Sequence, residues 1–212
     1  IKDINTRFRN RENSSPDIGQ ILSEFCSLRE GGYLAIFPSF RFIDMVRPYI
    51  KHEDVNLLVQ RPDMNAIEIS NLINSMSMDD GTSLALIVAG GKLAEAVDFV
   101  GDACVGVAVV GPCLPPPDSF RQALRYYWQN MGEDGEKIAY IMPAMQKVVQ
   151  AAGRMLRNPD ERGVILLMDD RYLDEQYVEL LPDDWVNDLT NAGVNWQQQV
   201  SEFWNEKLKV NE

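Results

Sequence analysis

Three long polar side chains recur at helical spacing in the segment Gln150–Arg157. Gln150, Arg154 and Arg157 are four and then three residues apart, so on an α-helix they form one stripe. Guanidinium groups bind phosphate and carboxylate oxygens in a fixed two-pronged geometry. Two arginines one turn apart therefore suit a rigid anion clamp, whereas an ordinary amphipathic helix would turn the same arginines towards water.

The surrounding sequence predicts the elements that would position this stripe. Apolar residues recur at the spacing of one helix face from Met145 to Leu156, after the helix-starting residue Pro143. Asn158–Pro159 should end the helix, because proline disfavours a helical residue before it. The continuous apolar run Val164–Met168 then predicts a buried strand.

The stretch QAAGRMLRNPDERGVILLMDDRY resembles motif VI of superfamily 2 helicases of the XPD/DinG type. That motif reads Q-x-x-G-R-x-x-R, followed by an Asp, a Gly, a hydrophobic strand and D-x-R-[FY]. The matching residues are Gln150, Gly153, Arg154, Arg157, Asp160, Gly163, and Asp169 or Asp170 with Arg171 and Tyr172. The resemblance implies that Arg154 and Arg157 act on ATP as arginine fingers, and that Gln150 and Gly153 contact the nucleotide.

Gly90–Asp102 (GGKLAEAVDFVGD) resembles motif V of the same family, in which a glycine turn leads to E-G-[IV]-D-F. Ala96 stands where the family usually has glycine. The resemblance implies that Glu95 and Asp98 lie on the nucleotide side, and that Gly91 and Lys92 contact DNA. Backbone N–H groups in such a turn can hold a phosphate, although a plain glycine turn before a capped helix is the alternative.

Two further stretches resemble family features. Gly31–Phe40 (GGYLAIFPSF) resembles motif IV, a hydrophobic strand before F-x-S-[YF], which implies that Ser39 and Phe40 contact nucleic acid. Ser39 is also a plausible helix N-cap. Gly111–Pro117 (GPCLPPP) resembles the proline-bearing loop that follows motif V, and a plain rigid connector is equally compatible with it.

Composition and charge limit the function classes. Hydrophobic residues make up 45% of the 212 residues, which excludes a disordered chain, and no apolar run approaches the ~20 residues of a membrane span. The net charge of −12 is unusual for a nucleic-acid protein. However, Leu173–Glu206 carries eight acidic residues and no basic one. Any DNA contact should therefore use local groups, with this acidic segment facing elsewhere.

The cysteines indicate neither a metal site nor a disulfide framework. Cys26, Cys104 and Cys113 are scattered without a C-x-x-C pair, and His52 is the only histidine. We therefore expect no metal site in this chain. Buried thiols in a reducing compartment are the simpler expectation.

Strands and helices alternate along the chain, which predicts an α/β fold with an open, doubly wound, mostly parallel sheet and helices on both faces. The predicted strands are Tyr33–Phe37, Asn56–Val59, Leu84–Ala89, Val105–Gly111 and Val164–Met168. Functional groups should gather where parallel strands end. The resemblance implies a RecA-like helicase domain 2 over residues 1–172, with residues 173–212 as an acidic extension packed on the same domain.

Two helices and their buried faces are predicted from apolar spacing. One runs from Pro16 to Leu28. The other runs from Ser119 to Met131, with one apolar stripe expected to be buried. That stripe comprises Phe120, Leu124, Tyr127, Trp128 and Met131.

The sequence contains no G-x-x-x-x-G-K-[ST] loop and no D-E-A-H-type motif, which in this family lie on the first motor domain. The resemblance therefore implies the second motor domain of an ATP-dependent 5′–3′ DNA helicase. ATP and Mg²⁺ would be held mainly by the first motor domain, which would also carry any iron–sulfur cluster. The partners would be single-stranded DNA and that first motor domain of the same polypeptide, with no membrane.

The chain starts at Ile1 rather than at a methionine, which suggests a fragment of a longer protein. We expect this fragment to be inactive alone, because the phosphate-cradling lysine and the metal-binding carboxylates of the first motor domain are missing from it. Its expected location is cytoplasmic or nucleoid-associated, or nuclear in a eukaryote.

Two other hypotheses about the function remain open. One is a non-catalytic partner-docking module, which the acidic, tryptophan-bearing C-terminal segment supports. The other is a free-standing Rossmann-type nucleotide-binding enzyme, which the absence of G-x-G-x-x-G weakens.

Overall fold

The computed structural model of the chain describes residues 1–51, 53–78, 81–89, 104–153, 162–190 and 193–206. Five strands form one sheet, in which every pairing is parallel. They are β1 (Gly32–Phe37), β2 (Val55–Val59), β3 (Thr82–Val88), β4 (Gly106–Val110) and β5 (Val164–Met168), in the spatial order β2-β3-β1-β4-β5. Each predicted strand is confirmed, with ends that differ by two residues or fewer.

Helices cover both faces of this sheet. The described α-helices are α1 (Arg11–Ser27), α2 (Phe40–Val46), α3 (Ala66–Met78), α4 (Ser119–Asn130), α5 (Met142–Ala152), α6 (Glu175–Val178), α7 (Asp183–Asn187) and α8 (Trp196–Asn205). Short 3₁₀ turns at Phe8–Asn10, Arg47–Tyr49, Asp170–Leu173 and Gly193–Asn195 connect several of them. The predicted open, doubly wound α/β sheet is therefore confirmed.

The central strand β1 explains why both faces are apolar. All six of its residues are buried. Leu34 and Ile36 belong to the core beneath α3 and α5, whereas Tyr33, Ala35 and Phe37 belong to the core beneath α1 and α2. Alternate side chains of a strand point to opposite faces, so a strand covered on both faces must be apolar throughout.

The first helix begins earlier than its sequence predicts. A start at Pro16 is wrong: α1 begins at Arg11 and carries Pro16 inside the helix. The fixed φ of proline is compatible with helix, and only one backbone donor is lost. The Ser15 hydroxyl donates to the Arg11 carbonyl oxygen at 2.7 Å, which adds a side-chain bond in this turn. The polar sequence before Pro16 concealed the helical start, because its side chains face mostly outwards.

Helix α4 carries the largest departure from the prediction. The helix exists, but none of its residues is buried. Phe120 is 72% exposed, Tyr127 is 58% exposed, and Met131 just after the helix is 64% exposed. The apolar residues between Phe120 and Met131 share one helix face, as predicted, but the prediction that this face is buried is wrong. Helical spacing shows which residues share a face, but it does not show whether another element covers that face.

Helix α5 is entered through a wide turn. A π-helical turn (Lys137–Ile141) runs directly into α5, which has Pro143 at its second position, as its sequence predicts for a helix start. Met145, Val148 and Ala152 of the predicted apolar face are buried. The Gly153 N–H donates to the Val149 carbonyl oxygen at 2.8 Å at the end of α5. The predicted continuation to Arg157 falls on residues 154–161, outside the described residues.

The C-terminal segment packs against the first helix. Trp196 and Val200 of α8 are buried in the core beneath α1, where the Trp196 ring centroid lies 6.2 Å from that of Phe25. The Gln197 amide donates to the Glu24 carboxylate at 2.8 Å. Within the described part of the chain, no helix combines the length and the apolar character needed to cross a membrane.

Candidate functional site at the two ends of the sheet

The side of the sheet at which the strands end is called the carboxyl end here, and the opposite side the amino end. Ser39 and Phe40 lie at the carboxyl end, directly after β1. Ser39 Oγ accepts the N–H of Phe42 at 3.3 Å and caps α2, which confirms the predicted N-cap. The Ser39 hydroxyl proton has no acceptor among the described residues, and both side chains are partly exposed. This hydroxyl is therefore able to donate to a ligand at the surface.

A buried polar network lies at the ends of β4 and β5. Asp169 follows β5 and is 1% exposed. Its carboxylate accepts the Arg171 Nε–H at 2.7 Å, the Thr6 N–H at 2.8 Å and the Thr6 hydroxyl at 2.6 Å. Asp170 instead accepts Arg7 Nη1 at 2.6 Å on the surface. Arg171 is therefore hydrogen-bonded to Asp169, the aspartate that also has the D-x-R spacing.

This network controls the ionisation of Asp169. Burial alone would raise the pKa of the carboxyl group. Hydrogen bonds from Arg171 and Thr6, together with the positive charge of Arg171, outweigh burial and hold the pKa of Asp169 well below its usual range. The Asp169 carboxylate therefore remains ionised and serves as a fixed anchor rather than a proton donor.

The proline loop after β4 is held by the same region. The Tyr172 hydroxyl donates to the Gly111 carbonyl oxygen at 3.0 Å, and the Gly111 N–H donates to the Met168 carbonyl oxygen at 3.1 Å. Gly111 has a φ of +81°, and a Cβ added there would lie 2.0 Å from Thr6 Oγ1. Only glycine allows the loop to approach the N-terminal segment this closely.

A cleft of about 260 Å³ opens between this loop, the end of β1 and the start of α5. Its lining includes the apolar residues Pro38, Ala89 and Cys113 and two cations, Arg121 and Lys147. Arg121 is paired with Asp118. Lys147 is exposed and has no ion-pair partner within the described ranges.

Gln150 and Gly153 lie at the other end of the sheet. Helix α5 begins beside the cleft, where Pro143 and Ala144 line the wall. At ~1.5 Å per residue, Gly153 is about 14 Å further along the helix axis than Ala144. Helix α5 leads back to the start of β5, so its C-terminal turn belongs to the amino end. Gln150 is exposed there.

The structure therefore does not bring all predicted site residues together. Ser39 and Phe40 lie at the carboxyl end, and Gln150 and Gly153 lie at the amino end. The predicted residues Gly91, Lys92, Glu95, Asp98, Arg154 and Arg157 lie outside the described residues. The two described groups match two separate predicted roles, nucleic-acid contact and nucleotide contact.

The carboxyl end of the sheet also carries a series of basic residues that were not predicted from the sequence. Arg41, Arg61, Arg121 and Arg171 each follow the end of a different strand, and Arg7, Arg9 and Arg11 lie in the N-terminal segment that crosses the ends of β4 and β5. Taking the first basic residue after each predicted strand would have identified Arg41, Arg61, Arg121 and Arg171 from the sequence. The N-terminal arginines gave no such signal, because their position depends on contacts with residues more than 160 positions away.

Among the described residues, no three His, Cys, Asp or Glu side chains converge closely enough to hold a metal ion. Cys26, Cys104 and Cys113 are buried free thiols, as the sequence predicts.

The chain is similar to known proteins in both sequence and fold. The sequence profile of the helicase C-terminal domain family matches residues 22–188. The DNA repair factor IIH helicase subunit XPD of Schizosaccharomyces pombe is 26% identical over 213 residues, covering 93% of this chain and 27% of the yeast protein. The regulator of telomere elongation helicase 1 homolog of Culex quinquefasciatus is 26% identical, covering 81% of this chain and 19% of that protein.

Solved structures show the same fold. A structure of an XPD helicase has a TM-score of 0.71, with 21% identity, over 89% of this chain and 33% of its own. An apo XPD structure has a TM-score of 0.65, with 24% identity, over 84% of this chain and 36% of its own. The chain spans only about a fifth to a quarter of the length of these curated relatives. With its five-stranded RecA-like sheet and its matched residues 22–188, the chain belongs to the helicase C-terminal domain family, of the XPD/DinG type.

Proposed function

We propose that this chain is the second motor domain of an ATP-dependent 5′–3′ DNA helicase. The observation that carries the proposal is the separation of its two predicted contact groups. Ser39 and Phe40 lie at the carboxyl end of the sheet, and Gln150 and Gly153 lie at the amino end. A motor must hold its track and its nucleotide at different places, so that a change at one site can move the other.

The carboxyl end is the proposed DNA-binding side. Ser39 has a hydroxyl proton to donate, and Lys147 beside the cleft has no ion-pair partner among the described residues. Gly91 with Lys92 would add backbone and ammonium donors to phosphates. Few cations are involved and the net charge is −12. Binding of single-stranded DNA should therefore fall steeply with salt, since contacts to phosphate release counterions.

The amino end is the proposed nucleotide side. The Arg154 and Arg157 guanidinium groups would contact the γ-phosphate, with Gln150, Glu95 and Asp98 beside the same nucleotide. ATP with Mg²⁺ supplies the phosphoryl group and would be held mainly by the first motor domain, which would also hold any iron–sulfur cluster. Relatives of this chain are named ATP-dependent helicases, which supports this assignment. By the same reasoning, the protein would act where DNA is, in the nucleus of a eukaryote or at a nucleoid.

Substitution of the two arginines in the full-length protein tests the nucleotide role. Arg154→Ala or Arg157→Ala should abolish most DNA-stimulated ATP hydrolysis while leaving the melting temperature unchanged. Lysine should restore little activity, because an ammonium group cannot copy the two-pronged contact of guanidinium. Arg162→Ala is a suitable control, since Arg162 donates to the Glu206 carbonyl oxygen at 2.8 Å and packs on Phe203. Normal ATP hydrolysis by both Arg154→Ala and Arg157→Ala would contradict the proposed role of these arginines as arginine fingers.

Two further measurements test the motor itself. The 212-residue chain alone should hydrolyse no ATP, because the phosphate-cradling and metal-binding motifs are absent from it. In the full-length protein, a duplex with a 5′ single-stranded tail should be unwound and one with only a 3′ tail should not. Unwinding from the 3′ tail alone would contradict the proposed direction.

A second candidate function is a non-catalytic partner-docking domain. The exposed apolar face of α4, with Phe120, Tyr127 and Met131, favours it, because faces of this kind mark interaction sites. DNA-stimulated ATP hydrolysis by the full-length protein decides between the two functions. A protein that binds neither ATP nor DNA would favour the docking domain.

A further inference from the structure

An exposed aromatic ring lies in the N-terminal segment, outside the matched residues 22–188. Phe8 opens the 3₁₀ turn Phe8–Asn10 and is 72% exposed. Arg7 and Arg9 flank it in the sequence. A phenylalanine of this exposure has no role in the core, so its position needs another explanation.

The turn that carries Phe8 is fixed at the carboxyl end of the sheet. Thr6 is anchored on Asp169 through its N–H at 2.8 Å and its hydroxyl at 2.6 Å. Arg7 Nη1 donates to both carboxylate oxygens of Asp170, at 2.6 and 2.7 Å. The Asn10 N–H donates to the Arg7 carbonyl oxygen at 2.7 Å and closes the turn. Phe8 is therefore presented by a braced turn and not by a loose chain end.

One guanidinium group connects Phe8 with the helix that follows β1. The Arg11 guanidinium carbon lies 5.7 Å from the Phe8 ring centroid and 4.8 Å from that of Phe42. Arg11 Nε also donates to the Thr6 carbonyl oxygen at 3.1 Å. Phe42 belongs to the first turn of α2, whose N-cap is Ser39. Phe8 is thus tied to the helix start that forms the proposed DNA-binding side.

Two further arginines flank the two rings that Arg11 contacts, because Arg9 follows Phe8 and Arg41 precedes Phe42 in the sequence. Arg9 and Arg41 are exposed, and neither has an ion-pair partner in the described part of the chain. The exposed aromatic residues of α4 differ in this respect, because the arginines of that helix, Arg121 and Arg125, are engaged with Asp118 and Glu136. An exposed aromatic ring can stack on a base, and nearby arginines can bind the phosphates on either side of it. Single-stranded nucleic acid offers both groups to a protein surface.

We propose that Phe8 is a stacking platform for a base of the single strand that crosses the carboxyl end of the sheet. Arg9 and Arg41 contact the phosphates on either side of that base. The inference rests on the proposed function, since it assumes that the strand passes over this end. It adds a base contact to the phosphate contacts proposed for this surface, and Phe8 lies outside residues 22–188, which the family profile matches.

The test uses the full-length protein and two labelled oligonucleotides of equal length, one of thymidine nucleotides and one with abasic sites throughout. Phe8→Ala should weaken binding of the thymidine strand by about fivefold or more, while binding of the abasic strand stays at the wild-type level. Phe8→Trp should restore the loss. Arg9→Ala should weaken binding of both strands equally and reduce the salt dependence of binding by about one phosphate contact.

Tyr126→Ala is the matched control, because Tyr126 is 64% exposed on α4 without free cations beside it. It should bind both strands like the wild type, and all variants should melt like the wild type. Equal losses on both strands for Phe8→Ala, or no loss on either, would overturn the stacking role. Failure of the wild-type protein to bind either strand would instead overturn the proposed function itself.

Discussion

The Thr6 hydroxyl donates a 2.6 Å hydrogen bond to Oδ2 of Asp169, joining two buried residues that are 163 positions apart in the chain. The same carboxylate holds Arg171, whose side chain is only 12% exposed. This bond ties the N-terminal segment to the end of β5, and through Arg171 it connects with the turn that carries Tyr172. The arrangement of the carboxyl end therefore depends on one ionised side chain.

Asp169→Asn should lower the free energy of unfolding by about 3 kcal/mol, because it leaves the Arg171 guanidinium buried without its counter-charge. Urea denaturation measures this change. Asp170→Asn is the matched control: its ion pair with Arg7 is about half exposed and should contribute at most about 1 kcal/mol. Equal effects of the two substitutions would show that the buried pair is not the anchor.

Stability should also depend on Asp169 at acid pH. The pKa of Asp169 is lower in the folded chain than in the unfolded chain, so the unfolded chain binds the proton more tightly. The stabilisation is then complete above the usual aspartate pKa of about 4 and is lost as the pH falls through the folded value. Denaturation curves at several pH values below about 4 should show a steeper loss for the wild type than for Asp169→Asn. Parallel losses would contradict this assignment.

Gly111→Ala should cost about 2 kcal/mol more than Gly132→Ala. Both glycines have positive φ, +81° and +86°, so an alanine would strain the backbone similarly at either position. Only at Gly111 does the new methyl group meet another atom, Thr6 Oγ1 at 2.0 Å, whereas nothing lies within 4 Å of a Cβ at Gly132. The free energies of unfolding of the two variants give the comparison, and similar costs would mean that the loop can move away from Thr6.

Phe120→Ala should change the free energy of unfolding by no more than about 0.5 kcal/mol, because the ring is 72% exposed. Phe42→Ala, at a fully buried phenylalanine, should cost about 4 kcal/mol. Thermal or urea denaturation of the two variants measures both effects. A large cost at Phe120 would indicate that the apolar face of α4 is covered after all.

The three cysteines should not react with thiol reagents in the folded chain at neutral pH. Burial raises the pKa of Cys26, Cys104 and Cys113 to about 12, so the reactive thiolate form is almost absent. All three should react quickly in denaturant, which a colorimetric disulfide reagent can follow. Rapid modification of any of these cysteines without denaturant would show that its thiol becomes accessible to solvent in the folded chain.

Sequence alone determined the strands, their parallel arrangement and the helix cap at Ser39. Each strand is a continuous apolar run because both of its faces are covered, and that signal is local. The spacing of Gln150, Gly153, Arg154 and Arg157 likewise identified the family from contiguous residues. Such features depend on neighbours within a few positions, so they can be read without the fold.

Tertiary structure decided the remaining features, all of which depend on distant partners. The spacing D-x-R fits Asp169 and not Asp170, but only the structure shows that Asp169 is buried in contact with Thr6 and Arg171. The apolar spacing in α4 was real, but exposure depends on whether another element packs there, which local sequence does not encode. Phe8 lies at the carboxyl end of the sheet for the same reason: the N-terminal segment is held there by hydrogen bonds to Asp169 and Asp170 near the other end of the chain.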